Sequence, residues 1–229
     1  RAPPPMGANE EALQQAAEMI VNAEFPVLVG GRFGMFESMR RPLIELLDLT
    51  GAGGLNDRAI YCWPSEHPQN ISGDKEALLE ADVIVCLDVI DINNTMGTYA
   101  IRRRADIQES RKKAPPKVID LSLNAIDNNS WTAFGGPTPP VDLQLVCEPQ
   151  YGVEQLISAV RKRLRQDESS HERITARKNA LSDRHDKLRA AQTAKAREGW
   201  DASPVKIERM IHEIYQAIKD KDWILSAAN

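Results

Sequence analysis

Three short apolar runs in this chain are followed by, or contain, residues that could bind a ligand. The runs span residues 25–29, 83–87 and 117–121. Glycines let a backbone approach a phosphate, a guanidinium binds anions, and a carboxylate accepts hydrogen bonds from ribose hydroxyls. The residues of these types at the ends of the runs are Gly30, Gly31, Arg32, Asp88 and Asp120. Their chemistry is compatible with a nucleotide site.

The runs themselves predict the elements that position these residues. Nearly unbroken apolar runs of this length are typical of strands buried on both faces, which occur in parallel sheets. Parallel strands place all their carboxyl ends at one edge of the sheet, where ligands bind. We therefore expect the five candidate residues to lie close together along one crevice.

The remaining pattern completes an α/β fold, a Rossmann-like open parallel sheet of five to six strands with helices on both faces. Apolar residues at helical spacing predict helices at 10–23, 39–49, 75–80, 98–110 and 151–164. A weak, glycine-rich signal near 54–56 and a short run at 142–146 predict further strands. The arginine run at 102–104 is interpreted as a solvated helix face.

Composition excludes some classes of partner. The 229 residues carry a net charge of −4, and the basic residues are interleaved with acidic ones, so binding to nucleic acid is not expected. No apolar run is long enough to span a membrane. Cys62, Cys86 and Cys147 are odd in number and widely spaced, which favours buried thiols in a reducing compartment, with cytoplasm as the expectation.

Three segments outside the sheet domain predict a multidomain organisation. The proline-rich residues 1–9 indicate an interdomain linker before a domain at 10–165. Residues 166–202 are charged and alanine-rich, with Ile174, Leu181 and Leu188 seven residues apart, and predict a mostly solvated helical linker. Residues 203–229 predict a helix opening at Ser203-Pro204, then a strand from Trp223, as the incomplete beginning of another domain. We expect the chain to be part of a longer protein.

Several motifs, in order and spacing, carry a family resemblance. Residues 64–68 (Pro-Ser-Glu-His-Pro), Gly73, residues 80–85 (Glu-Ala-Asp-Val-Ile-Val) and residues 118–120 (Val-Ile-Asp) resemble the central domain of thiamine-diphosphate-dependent enzymes. The similarity covers about residues 10–165 and is to acetolactate synthase, benzoylformate decarboxylase and oxalyl-CoA decarboxylase. It implies a pyrimidine-binding domain before this one and a diphosphate-binding domain after it. Residues 203–229 resemble the opening of the latter, with Asn229 in its first cofactor-facing loop.

The resemblance implies a parent enzyme that makes or breaks a carbon–carbon bond next to a carbonyl, by decarboxylation or carboligation of 2-oxo acids. The implied cofactors are thiamine diphosphate and Mg²⁺, and the implied assembly is a homodimer or homotetramer. The glutamate that activates the cofactor and the Gly-Asp-Gly motif that holds metal and diphosphate are absent, since Gly73-Asp74 is followed by Lys75. We therefore assign no catalytic or metal-binding residue here and expect this segment alone to be inactive.

Some members of the family hold a nucleotide at the carboxyl edge of the central domain, FAD in acetolactate synthase and ADP in oxalyl-CoA decarboxylase. The turn at 30–32 is not a Gly-x-Gly-x-x-Gly motif, and residues 70–74 lack the Gly-Met-His-Gly-type loop that faces flavin. Leu87-Asp88-Val89 also lacks the usual Gly and Arg. An empty site is the favoured interpretation, and an occupied one is the alternative.

Two other classes of function stay open. The first is a stand-alone NAD- or ADP-ribose-binding module such as a sirtuin-type deacylase, which usually carries a zinc ribbon of four cysteines where this chain has three. The second is a non-catalytic interaction domain.

The remaining histidines and tryptophans are given structural interpretations. His67 is expected to fix the shape of its loop by hydrogen bonding, and the other histidines are expected at the surface. Trp63 and Trp131 are expected to pack against a neighbouring domain. The surface histidines are His171, His185 and His212.

Overall fold

The computed structural model describes residues 3–57, 61–74, 76–96, 115–126 and 140–223. It contains two compact units, Arg1–His185 and Asp186–Asn229. The predicted helix at 98–110, the arginine run within it, Trp131 and Asn229 lie outside the described residues.

The first unit is built on an open sheet of parallel strands, which confirms the predicted fold class. The strand order is β2-β1-β3-β4-β5, and every neighbouring pair is parallel. All residues of β1 and β3 are buried, as expected for central strands covered on both faces. The strands are β1 Pro26–Gly30, β2 Gly53–Asn56, β3 Val83–Leu87, β4 Lys117–Ser122 and β5 Leu143–Val146.

Helices connect the strands and supply the core. Asn9 begins α1 by accepting a hydrogen bond from the backbone of Ala12, and Gly51 ends α2 in the left-handed conformation (φ 58°). The apolar faces of α1, α2 and α5 pack on one face of the sheet. The described helices are α1 Glu10–Asn22, α2 Arg40–Thr50, α3 Ala77–Glu80, α4 Ile92–Met96, α5 Pro149–Gln166, α6 Ser170–Arg197 and α7 Ile207–Ile218.

The first half of α6 packs against the sheet unit more extensively than the sequence predicts. Ile174 and Leu181 are buried as a stripe, and Arg177 and His185 complete the same helix face. Arg177 donates hydrogen bonds to the carbonyls of Ile20, Ala23 and Thr50. These carbonyls lie at the ends of α1 and α2, where unpaired acceptors and the helix dipole attract a cation. Because Arg177 and His185 are polar, the spacing of apolar residues along the sequence does not show that this part of the helix face is buried.

The expected surface position of His185 is wrong. Its side chain is buried and its Nδ1 lies 2.7 Å from the carbonyl oxygen of Asn70, so that the ring is held between α6 and a loop. His171 is exposed and His212 is partly exposed.

The second unit contains α7, which begins at Ile207, three residues after the predicted proline start. On one side of α7, Arg209 lies over the ring of Trp200, 5.0 Å from its centroid, and His212 meets the same ring edge-on at 5.4 Å. The opposite side carries exposed apolar residues. These are Ile207, Ile211, Ile214 and Tyr215.

The described helices include none with the length and apolar character needed to cross a membrane.

Candidate functional site

The ends of β1, β3 and β4 are joined by backbone hydrogen bonds at the carboxyl edge of the sheet. The N–H of Gly31 donates to the carbonyl of Leu87 (2.9 Å), and the N–H of Arg32 donates to the carbonyl of Asp88 (3.1 Å). The N–H of Asp88 in turn donates to Leu121 (2.8 Å). Asp88 adopts a left-handed backbone (φ 52°), uncommon outside glycine, which bends the chain over the β1 turn.

Arg32 and Asp88 form a two-pronged ion pair across this edge. Arg32 Nε lies 2.9 Å from Asp88 Oδ2, and Nη2 lies 2.5 Å from Oδ1. Nη2 also donates to Oδ1 of Asn124 (3.3 Å), whose own side-chain amide donates to the carbonyl of Val89 (2.7 Å). Charge-assisted pairs of this geometry are strong. An incoming anion would therefore compete with Asp88 for the guanidinium.

The two glycines of the turn are required by the packing of the chain on itself. A Cβ on Gly30 would lie 2.5 Å from the Cys62 side chain, and a Cβ on Gly31 would lie 2.1 Å from the Asp88 carbonyl oxygen. The N–H groups of Gly31 and Arg32 are already used by β3 and the residue after it. The space and the donors that a phosphate would need are thus occupied by Cys62 and the backbone of Asp88, so the turn does not fit a phosphate.

Asp120 lies in β4, level with Cys86 of β3, and its carboxylate is only partly satisfied. Oδ2 accepts hydrogen bonds from Ser122 Oγ (2.9 Å) and Gln144 Nε2 (2.8 Å). Oδ1 is buried and has no partner within the described structure. Burial raises the pKa of Asp120, while the hydrogen bonds from Gln144 and Ser122 partly offset that rise. Oδ1 can accept a hydrogen bond or, when protonated, donate one.

The structure thus brings Gly30, Gly31, Arg32, Asp88 and Asp120 to the predicted edge, while their role in binding stays a prediction. Sequence reasoning missed Cys62, Asn124, Ser122 and Gln144. The sequence does give a signal for Ser122 and Asn124. Both lie within three residues of the end of the apolar run at 117–121, where parallel-sheet proteins carry ligand-binding polar residues. Cys62 fills the space that a side chain at Gly30 would occupy. The two residues are far apart in sequence, so no local pattern predicts this contact.

The cysteines are buried and free, as predicted. Burial raises the pKa of Cys62 to about 12 and of Cys147 to about 11, and it raises the pKa of Cys86 well above its ordinary value. A thiol reacts or binds metal as the thiolate, so these side chains are core residues. Within the described ranges, no group of three or more His, Cys, Asp or Glu side chains could hold a metal ion.

His67 and Trp63 have structural roles in the first unit. The N–H of Gln69 donates to His67 Nδ1 (3.2 Å), in agreement with the predicted loop-shaping role. Trp63 is 2% exposed and packs against Gly54, 3.0 Å from the position of a Cβ there. The expectation that it packs against a neighbouring domain is therefore wrong, because it fills the interior of its own unit.

Comparisons with known proteins found no matching family model and no matching curated protein. Among solved structures, one similar chain is from Mycobacterium smegmatis and is provisionally assigned as a thiamin diphosphate-dependent enzyme. The two chains are 17% identical with a TM-score of 0.48, over 70% of this chain and 30% of that one. The present chain therefore spans less than a third of that protein, and no functional conclusion follows from a likeness this distant.

Proposed function

We propose that this chain is the central domain, with the start of the C-terminal domain, of a thiamine-diphosphate-dependent enzyme that decarboxylates or ligates 2-oxo acids. The motifs at residues 64–68, 80–85 and 118–120 support this assignment. The observed parallel sheet is compatible with it. In this proposal the sheet unit braces the catalytic domains and takes no part in bond making or breaking.

The observation that carries the bracing role is the internally bonded turn after β1, at the carboxyl edge of the sheet. Backbone donors of Gly31 and Arg32 are bound internally, and the Arg32 guanidinium is held by Asp88. A turn whose donors and guanidinium are bound internally is suited to rigid support, because a ligand would first have to break these bonds. No catalytic residue is therefore assigned to this chain.

The implied cofactors do not fit the described residues, which offer no metal-ligand cluster. When bound to a protein, thiamine diphosphate supplies a thiazolium ylid that acts as nucleophile and electron sink. We place its ligands in the catalytic domains of the parent enzyme. What this chain contributes is the folded sheet and the helices that fix its edges.

The exposed apolar face of α7 supports the proposal that residues 203–229 open a further domain. Ile207, Ile211 and Ile214 are 61%, 58% and 51% exposed, although they share one face of an amphipathic helix. Such a face is normally buried against a packing layer. We infer that the diphosphate-binding domain supplies that layer, in a homodimeric or homotetrameric parent enzyme. The buried free thiols favour a reducing, cytoplasmic location.

Calorimetric titration with thiamine diphosphate and Mg²⁺ tests this assignment of roles. We expect no binding heat from this chain, because it lacks the activating glutamate and the Gly-Asp-Gly motif. A saturable site with micromolar affinity would contradict the proposal, since the chain would then hold the cofactor without its catalytic domains.

A nucleotide-binding role is the second candidate, and it is favoured by Oδ1 of Asp120, which has no partner among the residues that the structure describes. A ribose hydroxyl could donate to this atom. A bound nucleotide would raise the melting temperature, because it stabilises only the folded state. ADP, FAD, NAD and ADP-ribose should each be tested by thermal shift.

The bracing role predicts no shift with any of the four nucleotides. A shift that Asp120→Ala removes and the exposed-site control Asp183→Ala retains would favour a nucleotide site instead. A shift with NAD or ADP-ribose alone would favour the stand-alone module.

A further inference from the structure

Two histidines meet the same backbone segment where α6 crosses the loop of residues 64–72. The backbone carbonyl oxygen of His67 accepts a hydrogen bond from the N–H of Asn70 (2.8 Å). His185 Nδ1 lies 2.7 Å from the carbonyl oxygen of Asn70. Both side chains are largely buried. The charged groups that act on His67 are Asp48 of α2 and His185 and Lys178 of α6.

The hydrogen bonds show which form of His67 the fold requires. Its Nδ1 accepts the N–H of Gln69, so this nitrogen carries no proton, and Nε2 carries the proton 3.6 Å from Asp48 Oδ1. If Nδ1 gained a proton, it would become a donor facing the N–H donor of Gln69, and the hydrogen bond between them would be lost. Burial lowers the pKa of His67. Asp48 opposes this effect of burial, and His185 and Lys178 lower the pKa further.

The loop that His67 shapes covers the outer edge of β2. The N–H of Gly54 donates to the Gln69 carbonyl (2.8 Å), and the N–H of Ile71 donates to the Gly54 carbonyl (2.9 Å). The Gln69 side chain also donates to the carbonyls of Leu47 and Ala52 at the end of α2. Without this loop, β2 would present unpaired backbone groups, which pair readily with other chains.

We propose that His67 is the proton sensor of a latch, formed with His185 of α6, that holds the 64–72 loop closed over the edge of β2 and releases it in acid. Protonation removes the acceptor for the Gln69 N–H and places a positive charge on a largely buried ring, and these effects outweigh the attraction to Asp48. The opened loop binds the proton more readily than the closed loop. The latch is therefore fully closed above the ordinary histidine pKa of about 6.5 and loosens as the pH falls below it.

Hydrogen exchange followed by mass spectrometry tests the latch on the whole chain. We expect the amides of 64–72 to lose protection between about pH 7.5 and pH 5, after correction for the intrinsic pH dependence of exchange. The loss should be about tenfold for each pKa unit by which closure depresses the pKa of His67. Unchanged protection across this range would overturn the proposal.

Two variants separate the sensor from general acid effects. His67→Asn keeps an acceptor near the Nδ1 position but cannot gain a charge, so its loop should stay protected in acid. His171→Asn changes an exposed histidine on α6 that is outside the latch, and it should behave like the wild type. Equal loss of protection in His67→Asn and wild type would overturn the proposal. NMR titration of wild-type His67 gives an independent result, and a pKa above that of an unfolded peptide would also overturn it.

Discussion

Asp120 is a buried carboxyl group, and among the described residues one of its oxygens has hydrogen-bond partners and the other has none. Because burial raises its pKa above the unfolded value, the folded state holds the proton more tightly than the unfolded state. Its contribution to stability is therefore complete below the unfolded pKa and is lost as the pH rises through the folded one. Each pKa unit of this difference corresponds to about 1.4 kcal/mol.

Asp120→Asn should remove the loss of stability that accompanies ionisation of Asp120. The amide keeps an oxygen for the hydrogen bonds from Ser122 and Gln144, and it carries no charge. We expect a free energy of unfolding at neutral pH equal to or above that of the wild type. We also expect a flatter dependence on pH above about pH 4. Urea unfolding across this range measures both quantities, with exposed Asp183→Asn as the control. A variant less stable by more than about 1 kcal/mol at neutral pH would show that the charge itself is needed.

Gly31→Ala tests the close approach of the β1 turn to Asp88. The added Cβ would lie 2.1 Å from a backbone oxygen, which cannot move without disturbing β3. We expect the unfolding free energy to fall by about 3 kcal/mol or more. Gly34→Ala, at an exposed position in the short 3₁₀ helix Arg32–Met35 that follows the turn, should change it little. Comparable stability of both variants would show that Gly31 and the Asp88 carbonyl are not in close contact.

For single residues, the sequence predicts where a side chain lies in the fold better than it predicts which side chains it contacts. The sequence places Arg32 and Asp88 at the edge because each follows an apolar run, and parallel strands bring such residues to one edge. Their pairing with each other could not be predicted, because it depends on the left-handed backbone of Asp88. The non-glycine residue at that position gives no sign of that conformation.

Among the elements, α6 is held by a charged side chain acting on helix ends. Burial lowers the pKa of Arg177 to about 10, so the group remains protonated at neutral pH. The three carbonyl groups that accept its hydrogen bonds lie at the C-terminal ends of α1 and α2. The first half of α6 therefore contributes to the stability of the sheet unit.

Arg177→Met should cost about 3 kcal/mol of unfolding free energy, because the three carbonyls lose a charged donor while the apolar stem is kept. Arg165→Met, at an exposed position on α5, is the matched control and should have little effect. Chemical denaturation monitored by circular dichroism gives both values. Equal stability of the two variants would contradict the role assigned to α6.

The strands were predictable because buried parallel strands need continuous apolar residues, and the glycine-rich β2 was correctly placed from its weak signal. The packing of α6 was not predictable in full. Its stripe of Ile174 and Leu181 was visible, but Arg177 and His185 are polar by residue type and are buried only because backbone carbonyls accept from them. Apolar periodicity does not detect such contacts.

For the whole molecule, the two units differ in how well they bury their apolar surface. The sheet unit has a continuous core that includes Leu28, Val85 and Ile119. In the second unit, the apolar face of α7 is exposed. In the parent enzyme that we propose, a further domain would cover this face of α7.

The coding sequence on both sides of this segment tests the central claim most directly. We predict one open reading frame that extends in both directions. Upstream it should encode a domain with the activating glutamate, and downstream it should encode a Gly-Asp-Gly motif followed by asparagine. A frame that starts just before Arg1 and stops just after Asn229, or flanking sequence without these motifs, would contradict the assignment to a thiamine-diphosphate-dependent enzyme.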